Sequence, residues 1–441
     1  MLVDSLQFPP GFRWGVATSA FQIEGATRAG GRGPSIWDTF TATPGRVAGG
    51  AHADVATDHF HRYAEDVRLM ADLGVDEYRF SFAWPRIQPT GKGIPNGDGL
   101  AFYDRLLDEL HAAGIEPVGT LYHWDLPQPL EDAGGWLARD TAARFAEYAA
   151  ILAERFADRV ARWIPLNEPM VTTVYGYAIG EYAPGKALLL GALPTAHFQH
   201  LAHGLAVRAL RAAGARCVGT ANHHSPVWPA TEADRPAADR LDALVNRLYA
   251  DPVLLGSYPD EFTEHLPAGF ADDLPTIAEP LDFYGVNYYE PQVAASPGAG
   301  NPLPFELRPV EGHPMTGNGS PIVPDGLREL LVSLRERYGA ALPPVYITEN
   351  GCGFADEVAP DGGVHDHARI DFLATHLRAL REALDAGADV RGYYVWSLLD
   401  NFEWSKGYAP RFGLVHVDYA TLRRTPKDSY HWFRDVLRAQ A

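Results

Sequence analysis

Short apolar runs rich in β-branched and aromatic residues recur along the whole chain, and none alternates cleanly between apolar and polar positions. Near-continuous apolar runs of about four to eight residues are typical of parallel strands that are buried on both faces. The pattern therefore predicts strands of one buried parallel sheet. Their predicted spans are Phe12–Ala20, Glu77–Trp84, Glu116–Trp124, Trp163–Asn167, Cys217–Asn222, Phe283–Tyr288, Val345–Glu349 and Gly392–Leu398.

Amphipathic stretches with helical spacing lie between and after these strands. Their predicted spans are Asp58–Leu73, Asp104–Ala113, Thr141–Phe156, Thr195–Ala213, Ala237–Tyr249, Asp325–Tyr338, Asp366–Ala386 and Pro426–Arg438. Strand alternating with helix in this way indicates an α/β protein with the (β/α)8 architecture of a TIM barrel.

Long loops are predicted after three of the strands, at Gly25–Thr57, Ser225–Pro236 and Glu290–Pro324. A barrel needs about 250 residues, whereas the chain has 441. Because barrel active sites are built from the loops at the C-terminal ends of the strands, we expect these loops to wall a deep pocket. No composition shift marks a second domain, so residues 1–441 are predicted to form a single barrel domain.

The composition narrows the classes of partner. A net charge of −19 repels polyanions, so nucleic acid is not an expected partner. No apolar run approaches the ~18 residues of a membrane span, and the chain starts without the basic and apolar regions of a secretory signal. We therefore expect a cytoplasmic protein that does not associate with membranes.

Two glutamates stand at predicted strand ends, Glu168 after the fourth strand and Glu349 at the end of the seventh. A barrel brings such ends together, and a pair of carboxyls about 5–5.5 Å apart can cleave a glycosidic bond with retention of configuration. One carboxyl attacks the anomeric carbon while the other protonates the leaving oxygen, so their environments must favour opposite protonation states. Arg79, in the second strand, would favour the charged form of Glu349 if it reaches it.

Other polar and aromatic residues also cluster at strand ends. Trp124, Trp396 and Trp404 could stack on the apolar faces of a sugar ring. Gln22, His123, Asn167 and Glu403 offer the mixed donors and acceptors that neighbouring hydroxyls require. Asn222 ends the predicted fifth strand, Asn287 and Tyr289 lie at the end of the sixth, and all three can face the same pocket. These residues form the candidate binding set.

Histidine pairs allow an alternative, a metal-dependent hydrolase on the same fold. The pairs are His59 with His61, His223 with His224, and His123 with the carboxylate of Asp125. Their spacings match neither HxxxH nor HExxH, and His59 and His61 fall at a helix start rather than at a strand end. We therefore predict neither a metal nor a cofactor.

Seven sequence motifs together resemble glycoside hydrolase family 1, the β-glucosidases, from Phe8 to about Trp432. They are Ala17–Gly25 (ATSAFQIEG), Tyr78–Ile87 (YRFSFAWPRI), His123–Pro127 (HWDLP), Asn167–Pro169 (NEP), Asn287–Tyr289 (NYY), Ile347–Gly351 (ITENG) and Trp396–Trp404 (WSLLDNFEW). Each short motif is weak evidence alone. Their shared order and spacing make the resemblance specific.

The resemblance implies a retaining, exo-acting β-glycosidase, most of all a β-glucosidase that releases terminal non-reducing β-D-glucosyl residues, with some β-galactosidase or β-fucosidase activity. It implies Glu349 as nucleophile and Glu168 as general acid and then general base, with Arg79 and Tyr289 supporting Glu349. The sugar-binding residues that it implies are Gln22, His123, Asn167, Trp396, Glu403 and Trp404, with Asn167 at the 2-hydroxyl, and Asn222 and Asn287 as lesser candidates. The expected partner is a small β-glucoside or cello-oligosaccharide.

Two alternatives within this resemblance remain open, a 6-phospho-β-glycosidase and a sugar-binding barrel without turnover. The phosphoglycosidases lack the acidic residue at Glu403, where a carboxylate would repel phosphate. Plant thioglucosidases replace the acid with Gln, whereas this chain has Glu168. An unphosphorylated O-glycoside is therefore the expected substrate, and the aglycone preference stays open.

Overall fold

A sheet of eight parallel strands forms the centre of the computed structural model, which describes residues 6–440. Strands β1 to β8 span Arg13–Ala17, Glu77–Ser81, Glu116–Tyr122, Arg162–Leu166, Gly219–His223, Phe283–Asn287, Val345–Asn350 and Val390–Trp396. Residues 1–5 and residue 441 lie outside the described residues. The prediction that the chain lacks a secretory signal depends in part on residues 1–5.

Neighbouring strands follow the order β4-β3-β2-β1-β8-β7-β6-β5, so β1 lies between β2 and β8. Parallel bridges from Trp163 to Val218 and from Asn167 to Ala221 join β4 to β5 and bring the ends of the sheet together. All C-terminal strand ends thus meet at one rim. The predicted (β/α)8 barrel is confirmed.

Longer helices accompany the strands. Helices α1 to α8 span His59–Leu73, Gly97–Ala112, Arg139–Phe156, Pro194–Ala212, Arg235–Asp242, Pro324–Tyr338, His367–Asp385 and Asp428–Gln440. After α5 the chain passes through a π-helical stretch, Ala243–Arg247, into the helix Leu248–Leu255. The predicted helix Ala237–Tyr249 therefore covers only part of a longer, irregular segment.

Several predicted boundaries were wrong, and the predicted second strand, for example, ran to Trp84, which begins a short helix. Helix α2 begins at Gly97 rather than at Asp104, because the Asn96 side chain accepts a hydrogen bond from the Asp98 amide and caps a first turn that is rich in glycine. Gly99 is needed there, since a Cβ would lie 2.2 Å from the Arg86 carbonyl oxygen. Strand β1 ends at Ala17, and Ala20, predicted as strand, begins a short helix.

The loops carry secondary structure that the apolar pattern did not reveal. Short α-helices and the π-helical stretch there are Ala20–Ile23, Ile36–Ala42, Trp84–Ile87, Gln128–Asp132, Pro169–Val171, Thr172–Ala178 and Leu274–Ile277. Short 3-10 helices are Ala48–Gly50, Gly135–Leu137, Leu189–Ala192, Glu232–Asp234, Asp260–His265, Phe270–Asp273, Gly339–Ala341 and Trp404–Lys406. Short strands pair outside the barrel as Val227–Pro229 with Gln292–Ala295, Gln292–Ala295 with Glu306–Arg308, and Val415–Val417 with Arg424–Pro426.

The buried apolar residues form two clusters around and inside the barrel. The larger one packs the helices against the outside of the strands. A smaller one, which includes Val118, Ile164 and Tyr346, fills the interior. Below it, at the N-terminal end, the buried Glu77 accepts hydrogen bonds from Arg13, Arg162 and the Tyr394 hydroxyl.

The chain from residue 6 to residue 440 contains no helix that is long and apolar enough to cross a membrane. Strands from near both ends of the chain pair with each other, and β1 pairs with β8 along the full length of β1. This pairing supports the single-domain prediction, which stays a prediction.

Candidate active site

The end of β4 aims two neighbouring side chains in different directions. The Asn167 amide donates to the Tyr122 carbonyl of β3 at 2.9 Å, and the Glu168 amide donates to the Ala221 carbonyl of β5 at 2.8 Å. Glu168 then takes a left-handed conformation, with φ of 46°, and Pro169 starts a short helix. A positive φ at a non-glycine residue is strained and persists only where the surroundings hold it.

The end of β7 is irregular at Glu349. The pairing register shifts after Ile347 on both sides of β7. The next residue that pairs with β6 is Glu349, and the next that pairs with β8 is Asn350. Gly351 then passes so close to β8 that a Cβ would lie 1.8 Å from the Trp396 carbonyl oxygen. The glycine of the ITENG motif is therefore required by this close approach.

Arg79 lies between the two strand ends. Its Nη1 donates to Glu349 Oε1 at 2.6 Å, and its Nη2 donates to Asn167 Oδ1 at 2.6 Å. The Tyr289 hydroxyl donates to the other oxygen of Glu349, Oε2, at 2.8 Å. Both oxygens of Glu349 thus accept hydrogen bonds, one of them charge-assisted.

Glu168 has a weaker set of donors. Asn287 Nδ2 donates to Glu168 Oε1 at 2.7 Å and to Asn167 Oδ1 at 3.0 Å. The nearest histidine nitrogen, His223 Nδ1, is 3.8 Å from Glu168 Oε1. A neutral amide stabilises a carboxylate less than a guanidinium does, so negative charge is better stabilised on Glu349 than on Glu168.

The two carboxyls share an electrostatic environment. Burial raises the pKa of Glu349 to about 7, with the charge of Glu168 acting in the same direction, while Arg79 and the Tyr289 hydrogen bond lower it. Arg79 therefore reaches Glu349 and favours its charged form, but burial and the charge of Glu168 outweigh this effect. Because two buried carboxylates repel each other, the pair retains a proton close to neutral pH.

Both carboxyls line one cavity of about 180 Å³ at the C-terminal rim of the barrel. Of the predicted residues, those that line it are Glu168, Glu349 and Glu403, with the rings of His123, Trp124, Tyr289, Trp396 and Trp404. Behind this layer, Gln22, Arg79, Asn167 and Asn287 each hydrogen-bond to a lining residue.

Glu403 is the third carboxyl in this cavity. Burial raises its pKa to about 8, the charges of Glu349 and Glu168 add to this effect, and Lys406 opposes it. Gln22 Nε2 approaches Glu403 Oε2 at 3.4 Å. Burial and the neighbouring carboxyls thus favour the protonated form of Glu403, in which it can both donate to and accept from a hydroxyl.

Aromatic rings pack into one wall of the cavity. The His123 ring stacks on Trp396 at 5.6 Å and on Trp404 at 6.1 Å, and Trp124 lies 4.6 Å from Trp404. Burial keeps the pKa of His123 well below its usual value, so the ring is neutral. Its Nε2 faces Asn167 Nδ2 at 3.1 Å, while Nδ1 has no hydrogen-bond partner among residues 6–440. A ligand hydroxyl could supply one.

Asn222 is the predicted residue that lies apart from the cavity. Its Nδ2 donates to the Tyr284 hydroxyl at 2.9 Å and to the Tyr249 carbonyl at 3.3 Å. Strand side chains alternate in direction, and the next residue, His223, lines the cavity instead. The pairing of β5 with its neighbouring strands determines which of these residues faces the cavity. The sequence Asn222-His223-His224 alone does not show this.

The prediction missed several lining residues in the loops. Tyr175 lies in the π-helical stretch after Glu168, and Lys406 follows Trp404. Glu290 and Gln292 lie directly after β6, and Gln292 begins one of the short loop strands. Their positions after strand ends were the only available signal, because the paths of the long loops cannot be read from the apolar pattern.

The histidine pairs considered as metal ligands are directed elsewhere. His59 Nδ1 pairs with Asp66 at 2.7 Å, and His224 contacts Asn246 and Tyr284. Among residues 6–440, ligand atoms close enough to share an ion belong to His365, His367 and Asp428, at the starts of α7 and α8 and outside the cavity.

A comparison with protein families decides the relationship of this chain. The model described as glycosyl hydrolase family 1 matches residues 4–441. The chain belongs to glycosyl hydrolase family 1.

Two relatives match nearly the whole length of this chain. A thermostable β-glucosidase B of Thermobispora bispora is 51% identical over 98% of this chain and 91% of that protein. A bifunctional β-D-glucosidase/β-D-fucosidase of Bifidobacterium breve is 44% identical, with 97% of each chain covered. Among solved structures, a Thermotoga maritima β-glucosidase in complex with noeuromycin superimposes with a TM-score of 0.95, at 43% identity over 99% of each chain.

Proposed function

We propose that this protein is a retaining, exo-acting β-glucosidase that hydrolyses terminal non-reducing β-D-glucosyl residues. The observation that carries the proposal is the placement of Glu168 and Glu349 in one cavity with unequal donors, an arginine and a tyrosine on Glu349 and an amide on Glu168. Paired carboxyls with opposite protonation states are the requirement of this chemistry.

In the first step, the Glu349 carboxylate attacks the anomeric carbon and the bond from that carbon to the leaving oxygen breaks. Glu168 gives its proton to this oxygen, and the aglycone leaves as an alcohol. In the second step, Glu168 takes a proton from water while the water oxygen attacks the anomeric carbon. The ester bond to Glu349 breaks, and the sugar is released with its β configuration retained.

The repulsion between the two carboxyls explains the change of role. While Glu349 is ionised, its charge disfavours a second charge on Glu168, so Glu168 holds the proton. Once Glu349 becomes an ester, that charge has disappeared. Glu168 can then remain ionised and serve as the base.

The remaining cavity residues are proposed to bind the sugar that is cleaved. Gln22 and Glu403 offer donors and acceptors, His123 has a free ring nitrogen, and Trp396 and Trp404 present rings. Asn167, fixed by Arg79, is proposed to contact the 2-hydroxyl, where a hydrogen bond that strengthens in the transition state lowers the barrier. The bifunctional relative supports some activity on β-fucosides.

Hydrolysis of p-nitrophenyl β-glucoside, β-galactoside and β-fucoside, and of cellobiose, tests the substrate class. We expect the glucoside to be cleaved efficiently and proton NMR to show the β anomer as the first product. Appearance of the α anomer first would overturn the proposal. So would the absence of both p-nitrophenol release from the aryl glycosides and glucose release from cellobiose.

Two further arms address the alternatives. A p-nitrophenyl 6-phospho-β-glucoside should be cleaved poorly, because phosphate would enter a cavity lined by four carboxyls and be repelled by those that are ionised. Activity should survive dialysis against a chelator, since the proposed steps use side chains alone. A cytoplasmic location and the lack of a nucleic-acid partner stay predictions.

A further inference from the structure

The cavity contains polar side chains that the proposed sugar-cleavage site does not use. His223 lies at the end of β5, Glu290 and Gln292 follow β6, and Asn318 and Ser320 lie further along the same loop. Together they form a polar wall in the cavity that holds Glu168 and Glu349. We call this set the loop wall.

Glu290 is the carboxyl of the loop wall, and it is incompletely hydrogen-bonded. Its Oε2 is enclosed and has no hydrogen-bond partner among residues 6–440, and the same holds for Asn318 Oδ1. Burial raises the pKa of Glu290, while the Ser320 hydroxyl and the charges of His223 and Lys406 lower it. A buried acceptor without a partner is unfavourable. Glu290 Oε2 makes no hydrogen bond that would be lost if the carboxyl turned toward a donor on a ligand.

The loop wall lies close to the proposed acid. His223 Nε2 contacts Ser225 Oγ at 3.1 Å, which leaves its Nδ1 directed at Glu168 Oε1, 3.8 Å away. The pKa of Tyr175 is raised by burial, and the charges of both Glu290 and Glu168 add to that effect. Glu290 and Glu168 therefore both lie within electrostatic range of the Tyr175 ring.

Apolar residues complete the cavity near Glu168. Met170 and Val171 belong to the short helix that starts after Glu168, and Tyr175 belongs to the π-helical stretch that follows. An apolar and aromatic surface together with a wall of donors and acceptors is the combination that a sugar ring requires, since its C–H faces are apolar and its rim carries hydroxyls.

We propose that Glu290 binds the leaving group of the substrate and selects a hydroxylated aglycone, a second sugar, over an aryl aglycone. The proposal rests on the proposed β-glucosidase activity. A sugar hydroxyl donates to Glu290, and this hydrogen bond is charge-assisted when the carboxyl is ionised. An aryl group brings no such donor and leaves the Glu290 oxygen without a partner.

The test compares kcat/KM for cellobiose with kcat/KM for p-nitrophenyl β-glucoside in wild type, Glu290→Ala and Glu290→Gln. The ratio of the two values should fall about tenfold or more in Glu290→Ala, as expected for loss of a hydrogen bond to a charged group. Glu290→Gln keeps one acceptor oxygen without the charge, so its ratio should lie between those of the other two. A ratio cancels effects on the steps common to both substrates.

Glu306→Ala is a matched control, because Glu306 lies on the same loop, half-buried beside Arg308 and outside the cavity. Its ratio should equal that of wild type. An unchanged ratio in both Glu290 variants, or an equal loss on both substrates, would overturn the inference. If Glu290→Ala does not fold, Glu290→Gln alone decides. Failure of wild type to cleave either substrate would instead refute the proposed function.

Discussion

The two ends of the barrel treat buried glutamates in opposite ways. At the N-terminal end, Glu77 faces two arginines: Arg13 Nε lies 2.6 Å from its Oε1, and Arg162 and the Tyr394 hydroxyl complete its hydrogen bonds. The two arginines balance the negative charge of the single Glu77 carboxylate. Arg162 also lies 4.7 Å above the ring of Tyr346, which closes the interior of the barrel.

At the C-terminal end, three carboxyls of the proposed sugar-cleavage site share two positive charges. Glu168, Glu349 and Glu403 line one cavity, and Arg79 and Lys406 are the cations whose charges act on them. The pKa of Glu349 rises to about 7 and that of Glu403 to about 8, chiefly through burial. Burial and mutual repulsion at the rim therefore favour the protonated forms of Glu349 and Glu403.

The contrast teaches that burial alone does not mark a catalytic acid. Glu77 and Glu349 are both buried, but the former is matched by charge and the latter is also repelled by a neighbour. Substitutions at the N-terminal end should therefore change stability, and those at the rim should change catalysis. The following variants are ordered by the size of the expected effect.

Glu349→Gln should lower kcat for p-nitrophenyl β-glucoside by about 10⁴-fold or more, because it removes the nucleophile. The melting temperature, followed by circular dichroism, should change little, because burial and Glu168 already disfavour the charge of Glu349 and its removal offsets the weaker contact with Arg79. The Gln carbonyl oxygen can still accept from Arg79, and the Gln amide can donate to the Tyr289 hydroxyl oxygen. Equal rates for wild type and variant would refute the assignment.

Glu168→Gln should lower kcat/KM for cellobiose by about 10²–10⁴-fold through loss of the acid. A dinitrophenyl β-glucoside needs little protonation of its leaving group, so its first step should be affected much less. Azide, which needs no general base, should restore turnover by forming the β-glucosyl azide.

The same variant tests the protonation states of the carboxyls. Glu349 must be ionised to attack, so activity falls as the pH drops through its pKa, which burial raises. In the reactive state Glu168 is protonated and uncharged, so Glu168→Gln should leave the acid limb of kcat/KM for the dinitrophenyl glucoside close to its wild-type position. A large shift of this limb would contradict the proposed protonation states.

Glu77→Gln should reduce the free energy of unfolding by about 3 kcal/mol, because it leaves the buried charge of Arg162 without its partner. Denaturant unfolding measures this, and kcat at the rim should stay near the wild-type value. Glu116→Gln is the control at the same end: its side chain is 51% exposed and pairs with Arg13, so it should cost well under about 1 kcal/mol.

Tyr289→Phe removes one hydrogen bond to Glu349 and should lower kcat/KM about tenfold to a hundredfold. That hydrogen bond lowers the pKa of Glu349, so its loss raises the pKa and moves the acid limb to higher pH. Glu168→Gln, in contrast, should leave the limb in place. A shift of the limb to lower pH in Tyr289→Phe would contradict the electrostatic account.

Asn287→Ala and Asn222→Ala form the smallest comparison, two amides on neighbouring strands. Asn287 donates to Glu168, whereas Asn222 donates to Tyr284 behind the cavity. We expect Asn287→Ala to lower kcat/KM about tenfold and Asn222→Ala to lower stability by about 1 kcal/mol with little kinetic change. A larger kinetic effect from Asn222→Ala would restore it to the binding set.

The apolar pattern identified every barrel strand because parallel strands buried on both faces leave a strong local signal. The start of α2 was missed because its first turn contains Gly97 and Gly99, whose helix propensity is low. The sheet of short strands in the loops was missed as well, since pieces such as Val227–Pro229 are stabilised by partners far along the chain.

The sequence by itself determined the barrel, the family, and the positions of Glu168 and Glu349 at two strand ends, because these follow from local runs and their order. Only the tertiary structure decided that His223 rather than Asn222 faces the cavity, that Arg79 bridges Asn167 and Glu349, and that Glu290 is incompletely hydrogen-bonded. These features depend on strand register and loop paths. Both arise from contacts between residues that are distant in the chain, which no local pattern encodes.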